Sequence, residues 1–245
     1  PEVGPLASLH EGEGRLPVLN VIMNSIRSLF EVALPLKGKK VLITAGPTRE
    51  AIDPVRFISN RSSGKMGYAL SENARDMGAS VILVSGPVSL ADIPEVKTVK
   101  VESANEMKNA VVRNCARADY IFMAAAVADY MPNEISSIKM KRSAENLNLN
   151  LISAPDILKS IQNKTNAIIT SFALETHNGE IEARRKMKEK NADFIVLNYA
   201  NEKGAGFESS TNRVKIFSKH GHNIELKKDR KDRVAKKIIQ YVLNN

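Results

Sequence analysis

The residues best suited to chemistry lie in a long polar segment that follows a buried-strand pattern. Residues 40–45 are apolar and β-branched, which is typical of a parallel strand. About 19 residues then precede the next helical pattern, whereas such connections usually hold 2–6 residues. The segment is rich in hydroxyl, amide and cationic side chains, and Ser62-Ser63-Gly64 opens the helix. Because free N–H groups at a helix start attract anions, the segment predicts an anion site; a structural loop before a capped helix is the alternative.

Three further groups of residues fall where a ligand would bind. Ala124–Ala128 are small enough for a ligand to approach the backbone, and Asp129 could orient a base or ribose or carry a metal ion. Lys139 lies in a Lys-rich alternation that is normally a solvated strand edge. Lys186 and Lys190 are four apart and share a helix face, which could present two ammonium groups to a polyphosphate. Taken singly, each group is better explained by packing or solvation.

The elements that must position these residues alternate between strands and helices. Strand patterns at 40–45, 80–85, 119–124, 167–172 and 192–197 are separated by helical patterns, including one capped by Ser103 and one starting at Pro155 with Ser153 as a cap. This order predicts an α/β fold, a three-layer Rossmann-like and mostly parallel sheet. Residues 213–226 predict an added hairpin, followed by a C-terminal helix. Ligands of such sheets bind beyond the carboxyl ends of the strands.

Composition restricts the function classes. The net charge of +9, from 36 basic and 27 acidic residues, favours anionic ligands. The basic stretch 227–237 alternates with acidic residues and predicts a solvated helix face; with 5% aromatic residues and no Trp, a nucleic-acid surface is disfavoured. Cys115 is predicted to be buried, and no apolar run approaches the roughly 20 residues that span a bilayer. We expect a cytoplasmic protein with no nucleic-acid or membrane partner.

Several ordered motifs carry a family resemblance. Ile43–Arg49, Asn60–Gly67, Ala124–Tyr130, Lys139–Arg142, Ala154–Ile157, Phe172–Thr176, Gly206-Phe207 and Asn212 resemble the ligase half of the bacterial bifunctional phosphopantothenoylcysteine decarboxylase/phosphopantothenate–cysteine ligase. The resemblance covers about residues 38–243. It implies that CTP, with Mg²⁺, activates 4′-phosphopantothenate as an acyl-cytidylate, which cysteine then converts to an amide in coenzyme A synthesis.

The resemblance also implies roles for individual residues. Asn60 and Lys139 are the implied catalytic residues, Asn60 holding the acyl-cytidylate and Lys139 supporting its conversion. Phosphopantothenate is expected to contact Arg56, Asn60 and Ala125. No metal ligand is identified, and Mg²⁺ is expected to be held largely by the CTP phosphates. CTP is expected to contact Met123, Ala124, Ala125, Asp129, Lys139, Pro155, Asp156, Ile157, Leu158, Phe172, Lys186 and Lys190.

Domain organisation follows from the same comparison. Residues 1–37 are interpreted as the end of the decarboxylase half plus a linker helix, and residues 38–245 as the CTP-dependent ligase domain. The chain starts at Pro1 and is expected to be part of a longer protein. FMN is expected only in the remaining decarboxylase half, and Ser8, Leu9 and His10 replace the family's Cys-containing stretch, so we expect no decarboxylation by this chain.

Two features predict motion and assembly. Residues 141–146 lack a continuous apolar face and are expected to form a flap over the intermediate. Leu147, Leu149 and Leu151 alternate on one strand face, which predicts pairing across the two-fold axis of a homodimer. A nicotinamide-dependent oxidoreductase is the main alternative function, but the glycine fingerprint is missing and Ser85-Gly86-Pro87 supplies no acidic residue at the end of the second strand.

Overall fold

The computed structural model describes residues 2–5, 10–23, 34–142, 147–199 and 209–245. The chain divides into two compact units, Pro1–Pro35 and Leu36–Asn245. In the first, strands β1 (Glu2–Pro5) and β2 (Glu11–Arg15) pair antiparallel, and residues 19–23 are helical. The rest of the predicted linker helix and residues 143–146 of the predicted flap lie outside the described residues.

The second unit is built on one large sheet. Among its described residues, the strands of this sheet are β3 (Lys40–Ala45), β6 (Ser80–Ser85), β7 (Lys97–Lys100), β8 (Tyr120–Met123), β11 (Ile168–Glu175), β12 (Phe194–Tyr199), β13 (Thr211–Ser218) and β14 (Asn223–Arg230). These eight strands follow the order β14-β13-β12-β11-β8-β3-β6-β7, parallel from β12 to β7, with β13 and β14 antiparallel at one edge.

Two small antiparallel ribbons stand outside this sheet. Strands β4 (Arg49–Ala51) and β5 (Phe57–Ser59) form one, and β9 (Tyr130–Pro132) and β10 (Leu151–Ser153) form the other. Both ribbons interrupt strand-to-helix connections at the carboxyl edge of the sheet. The long segment after β3 is therefore a folded hairpin followed by a loop.

Helices cover both faces of the sheet, as the α/β prediction requires. Side chains of β3 alternate between the layers: Ile43 packs with the helices of one face, and Leu42 with those of the other. The helices are α1 (Lys65–Asp76), α2 (Ala104–Cys115), α3 (Ile157–Ile161), α4 (Gly179–Glu189) and α5 (Lys231–Asn244). The first face carries α1 and α5, which contact each other, and the second carries α2, α3 and α4.

The first turns of α2 and α3 can be compared with the caps that were predicted for them. The Ser103 hydroxyl accepts a hydrogen bond from the Glu106 N–H at 3.2 Å, which confirms the predicted cap of α2. The prediction for α3 was wrong, because Asp156 is its cap and accepts from the Lys159 N–H at 3.1 Å. Ser153 instead belongs to β10 and pairs with Tyr130, so its backbone is committed to a strand.

The apolar alternation at 147–151 does not form the predicted strand. Only Leu151 lies in β10, and residues 147–150 have no regular secondary structure. Leu147 and Leu149 are nevertheless exposed, at 53% and 38%. Cys115 is fully buried, as predicted, and burial raises the pKa of its thiol.

Gly86 follows β6 where two connections cross without room for a side chain. A Cβ at this position would lie 1.7 Å from the Pro47 carbonyl oxygen, which is backbone and cannot rotate away. We therefore expect Gly86→Ala to lower the free energy of unfolding by about 1–3 kcal/mol, as overpacking usually does. Ser89→Ala, at an exposed position of the same connection, is the control and should stay within about 0.5 kcal/mol of the wild type. Urea unfolding measures both variants, and an unchanged free energy of unfolding in Gly86→Ala would show that the close approach is not rigid.

Candidate active site

A cavity of about 510 Å³ opens at the carboxyl ends of the parallel strands. Its walls come from the loop before α1, the loop after β8, the start of α3, the end of β11 and the α4 helix. This is where ligands bind in doubly wound sheets. The cavity is therefore the candidate active site.

Most of the residues predicted to bind ligands line this cavity together. Two predicted residues, Arg56 and Lys139, are not among the described residues of its wall. The predicted residues that do line it are Asn60, Met123, Ala124, Ala125, Asp129, Pro155, Asp156, Ile157, Leu158, Phe172, Lys186 and Lys190.

Buried hydroxyls shape the loop after β8. Thr44 and Thr48 are both fully buried. The Thr44 hydroxyl accepts from the Ala125 N–H at 3.1 Å, and the Thr48 hydroxyl accepts from the Ala128 N–H at 3.0 Å. Because these donors are satisfied by side chains, the loop keeps an irregular course without leaving buried polar groups unpaired. Small residues on this loop then leave its backbone open to the cavity.

Asn60 connects the two loops that face each other across the cavity. Its side-chain Nδ2 donates to the Ala126 carbonyl at 3.1 Å and to the Val127 carbonyl at 3.2 Å. Both amide protons have acceptors in this arrangement, so the Oδ1 atom remains as the acceptor of the group. Asn60 therefore stabilises the cavity wall, and in this conformation it offers a ligand an acceptor rather than a donor.

Lys186, in α4, and Lys190, which directly follows this helix, differ in their surroundings. Lys186 donates to Glu175 Oε1 at 2.6 Å, and the Glu175 side chain is 14% exposed. The Lys190 N–H bonds the Lys186 carbonyl and closes the helix. Both residues line the cavity, with Phe172 in the same wall. The shared helix face predicted from their spacing is present, but one ammonium group already contacts a carboxylate.

Asp53 and Arg56 hold the segment that carries Lys139. The Asp53 carboxylate accepts from the N–H groups of Val55 and Arg56, each at 2.8 Å, and from the Met140 N–H at 3.1 Å. The Arg56 guanidinium donates to the Met140 carbonyl and lies 3.6 Å from the Asp53 carboxylate. Both backbone groups of Met140 are thus bound, although Lys139 itself is exposed.

The Asp53 side chain is completely buried, and the groups that donate hydrogen bonds to it determine its charge state. Burial by itself raises the pKa of this carboxyl group, but the three backbone N–H donors and the Arg56 charge lower it. The net result is a pKa below the ordinary value. Asp53 is therefore an anion at neutral pH.

Sequence reasoning assigned no individual ligand contact to four residues of the cavity wall, although Lys65 belongs to the donor-rich segment predicted to bind an anion. Lys65, Asn198, Asn212 and Lys231 all line the cavity. Lys65 and Asn212 fall within the resembling motifs, which was a usable signal. The interpretation of 227–237 as a solvated face was wrong for Lys231, which is only 7% exposed, because the first turn of α5 packs beside α1.

Within the described ranges, no group of three or more His, Cys, Asp or Glu side chains is arranged to hold a metal ion. No helix in the described part of the chain is long and apolar enough to cross a membrane.

Comparison with known families gives one match over most of the chain. Residues 36–245 match the family described as DNA/pantothenate metabolism flavoprotein C-terminal domain. The matched range is the same as the second compact unit, Leu36–Asn245.

Two relatives are similar to nearly the whole chain. The chain is 45% identical over 247 residues to the coenzyme A biosynthesis bifunctional protein CoaBC of Bacillus subtilis (strain 168), covering 99% of the chain and 61% of the relative. It is 42% identical over 250 residues to a protein of an unknown prokaryotic organism named cysteine/cysteine sulfinic acid decarboxylase, covering 99% and 70%. The chain thus spans less than two thirds of the CoaBC protein's length.

A solved structure resembles the second unit. The crystal structure of the C-terminal domain of a CoaBC protein is 42% identical to this chain and aligns with a TM-score of 0.74. The alignment covers 86% of this chain and 96% of that domain. The similarity therefore extends over nearly all of a C-terminal domain that was crystallised by itself.

Proposed function

Since the chain belongs to the DNA/pantothenate metabolism flavoprotein C-terminal domain family, we propose that it is a CTP-dependent phosphopantothenate–cysteine ligase of coenzyme A synthesis. The observation that carries the proposal is the single cavity wall that unites Asn60, the 123–129 loop, the 155–158 segment, Lys186 and Lys190. The 42% identity to a CoaBC C-terminal domain supports it.

The proposed reaction has two steps. The carboxylate of 4′-phosphopantothenate attacks the α-phosphorus of CTP, and pyrophosphate leaves with the electrons of the broken P–O bond. The amino group of cysteine then attacks the acyl carbon of the acyl-cytidylate, loses a proton and displaces CMP. An amide forms, and both leaving groups depart as anions.

The main barrier in the first step is electrostatic, because a carboxylate approaches a polyphosphate. Fixed cations and N–H donors lower this barrier when they are already oriented toward the developing charge. The wall includes Lys186 and Lys190, and it also includes the start of α1, the kind of position that favours an anion. Thr44, Thr48 and Asn60 hold the loop after β8 in place, so that its orientation need not change during reaction.

The second step needs a nucleophilic amine and the exclusion of water. Asn60 Oδ1, the acceptor left by its two bonds to backbone carbonyls, suits a donor such as the cysteine amino group. We assign Asn60 this positioning of the amine in addition to its implied contact with the acyl-cytidylate. Arg56 and Ala125 are the proposed contacts of phosphopantothenate. Ala125 lines the cavity, whereas Arg56 is not among the described residues of its wall.

Asp129 is the residue of this site that we propose as a contact of Mg²⁺. Mg²⁺ is commonly bound by one or two carboxylates together with substrate phosphates. Asp129 lines the cavity and supplies one exposed carboxylate, whereas the Asp156 carboxylate already caps α3. When bound, the ion would neutralise phosphate charge, while Asp129 would fix its position.

A homodimer is part of the proposal. Exposed apolar side chains gather on the ribbon formed by β9 and β10 and beside it: Tyr130 is 58% exposed, Leu151 41% and Ile152 38%. Apolar surface of this kind commonly marks a contact with another protein. Because β10 is also joined to the 154–158 segment of the cavity wall, a two-fold contact here would brace the site. Light scattering at micromolar concentration measures the assembly, and a monomer would contradict it.

The decarboxylase named for one relative is not proposed for this chain. That relative is matched over 70% of its length, and its printed name refers to the whole protein. We propose that FMN belongs to a decarboxylase domain of the parent protein and that residues 1–37 are its end. Release of carbon dioxide from phosphopantothenoylcysteine by this chain would contradict the assignment. A cytoplasmic location follows from the proposed substrates.

The decisive experiment measures pyrophosphate release from CTP or ATP in the presence of 4′-phosphopantothenate and Mg²⁺, with and without cysteine. We expect release that requires phosphopantothenate, prefers CTP, stops near one equivalent per site without cysteine and turns over with it. Omission of phosphopantothenate is the matched control. Absence of release with either nucleotide would overturn the ligase proposal, and a preference for ATP would overturn only the choice of nucleotide.

A further inference from the structure

The ion pair between Glu175 and Lys186 joins the end of a sheet strand to a side chain of the cavity wall. Glu175 is the last residue of β11, and Leu174 before it lines the cavity together with Lys186. The Lys186 ammonium group donates to Glu175 Oε1 at 2.6 Å. A carboxylate therefore lies beside a cation for which a contact with the nucleotide is proposed.

The packing of α4 on the sheet brings the two side chains together. Side chains alternate along a strand, so Glu175 lies on the same face of the sheet as Ala173, which packs in one apolar cluster with Ala183 of α4. Lys186 comes three residues after Ala183 and therefore lies on the same face of the helix. Ala173 and Lys186 both line the cavity, so the pair forms where the layer between β11 and α4 reaches it.

The acidic side chains of α4 near Lys186 are bound to a different cation. Glu182 and Glu189 contact the Arg185 guanidinium at 2.7 and 2.6 Å. Their side chains are 36% and 53% exposed, whereas the Glu175 side chain is 14% exposed. Because partly buried charges are screened less than exposed ones, Glu175 is the carboxylate with the strongest effect on an anion that approaches Lys186.

The pair is close, but it is not strong enough to exclude an anionic ligand. The Lys186 side chain is 36% exposed, and ion pairs with this much access to water contribute little to stability. An ammonium group has three donors and a flexible stem, so it can turn toward a phosphate oxygen. Once it has turned, the negative charge of Glu175 remains close to the bound anion and repels it.

We propose that Glu175 is the resident counterion of Lys186, which the lysine exchanges for the nucleotide when the site fills and regains when the site empties. The inference rests on the proposed function, in which Lys186 contacts CTP. It deepens that function by giving Glu175, a residue outside the cavity wall, control over how tightly the site holds an anion. Glu175 is a positioning residue in this scheme, because it acts through Lys186.

A carboxylate that only oriented Lys186 would have the opposite effect on binding. Loss of its charge would then weaken nucleotide binding, because a freer lysine must be ordered when the ligand binds. The fold favours exchange over orientation. Lys186 lies in the last turn of α4, where the helix dipole stabilises a cation, so the lysine does not need Glu175 in order to stay charged beside the cavity.

Glu175→Gln tests the exchange, because glutamine keeps the shape of the side chain and an acceptor for Lys186 but has no charge. Affinity for CTP with Mg²⁺ is measured by calorimetry without phosphopantothenate, so that no turnover occurs. We expect Glu175→Gln to bind CTP about 3- to 10-fold more tightly, since one repelling charge is removed. Glu175→Asp keeps the charge and should stay near the wild-type affinity. Glu189→Gln removes an exposed carboxylate bound to Arg185 and is the matched control, expected within about twofold of the wild type.

The direction of the expected change separates this role from a structural one, because a damaged site does not bind its ligand more tightly. Equal or weaker CTP binding in Glu175→Gln, with ligase activity present, would overturn the exchange and leave the proposed function intact. Weaker binding in Glu175→Asp as well would assign Glu175 to the orientation of Lys186. A wild-type protein that binds neither CTP nor ATP would overturn the proposed function and this inference with it. Unfolding midpoints close to that of the wild type are expected for all three variants, since the pairs are partly exposed.

Discussion

Replacing Lys139 with Met is expected to lower steady-state amide formation by roughly 100- to 1000-fold, the usual effect of removing a group that stabilises developing charge. The first turnover of pyrophosphate release should survive, because the role proposed for Lys139 is the conversion of the acyl-cytidylate. Rapid-quench measurement should therefore show a burst of about one pyrophosphate per site followed by a slow phase. The intermediate would accumulate and release its acyl group on addition of hydroxylamine.

The position of Lys139 does not by itself suggest a catalytic role, so the variant tests that role directly. Lys139 is exposed and is not among the described residues that line the cavity. Its role requires either that the segment around it closes over the cavity or that it serves the site of a second subunit. Lys236→Met is the matched control, since Lys236 is also exposed, carries the same charge and is not among the described residues that line the cavity. Equal turnover in both variants would show that Lys139 takes no part in the reaction, in agreement with its position outside the cavity wall.

Regular periodicity made most of the fold predictable. Residues 40–45 and 80–85 were predicted as strands within the bounds that the structure shows, because a continuous apolar run is what burial on both faces requires. The hairpin of β13 and β14 was predicted from alternation and a central glycine. These signals are local, so each can be interpreted without knowing what the segment packs against.

The errors arose where long-range contacts decide local structure. The strands β4 and β5 were missed because each has three residues and no periodicity. The strand β10 was misplaced toward 147–151 because its pairing with β9 depends on residues some 20 positions away, a contact that alternation does not encode. Backbone pairing, rather than the apolar pattern, selected Leu151–Ser153.

The candidate site was predictable as a set of motifs but not as a geometry. Residues after parallel strands meet at one edge, so the convergence of Asn60 with the 123–129 loop follows from the fold class. The separation of Lys139 from the cavity does not follow, since it depends on how residues 136–140 pack. The inclusion of Lys231 was equally hidden, because a lysine in a charged stretch gives no sign of burial.

Asp53 is the residue whose replacement should reveal how Lys139 is held. Its carboxylate accepts from the Met140 N–H, and Arg56 donates to the Met140 carbonyl, so both backbone groups of the residue after Lys139 are fixed. We expect Asp53→Asn to lower kcat by roughly 100-fold with a smaller change in KM, because a displacement near 1 Å of a reacting group costs about that much. Asp76→Asn, at an exposed side chain, is the control for loss of one negative charge.

The acid dependence of stability gives an independent measure of the same carboxylate. The folded-state pKa of Asp53 lies below its ordinary value, so its stabilising contribution is fully present above the unfolded-state pKa of roughly 4 and is lost as pH falls through the folded value. Urea unfolding between pH 5 and pH 3 should therefore show a smaller acid loss in Asp53→Asn than in the wild type. An identical loss would mean that this carboxylate is not held as an anion by its donors.

A double variant separates positioning of Lys139 from a general structural role. If Asp53 acts through Lys139, then Asp53→Asn combined with Lys139→Met should be no slower than Lys139→Met alone, since a residue that is absent cannot be misplaced. Multiplied losses would instead assign Asp53 to the stability of the β4–β5 hairpin, where Val55 and Arg56 also donate to it. Steady-state kinetics of the four proteins, with unfolding midpoints measured in parallel, decide between the two. Non-additivity with unchanged midpoints would make the buried carboxylate the anchor that connects the segment after β3 to the proposed catalytic lysine.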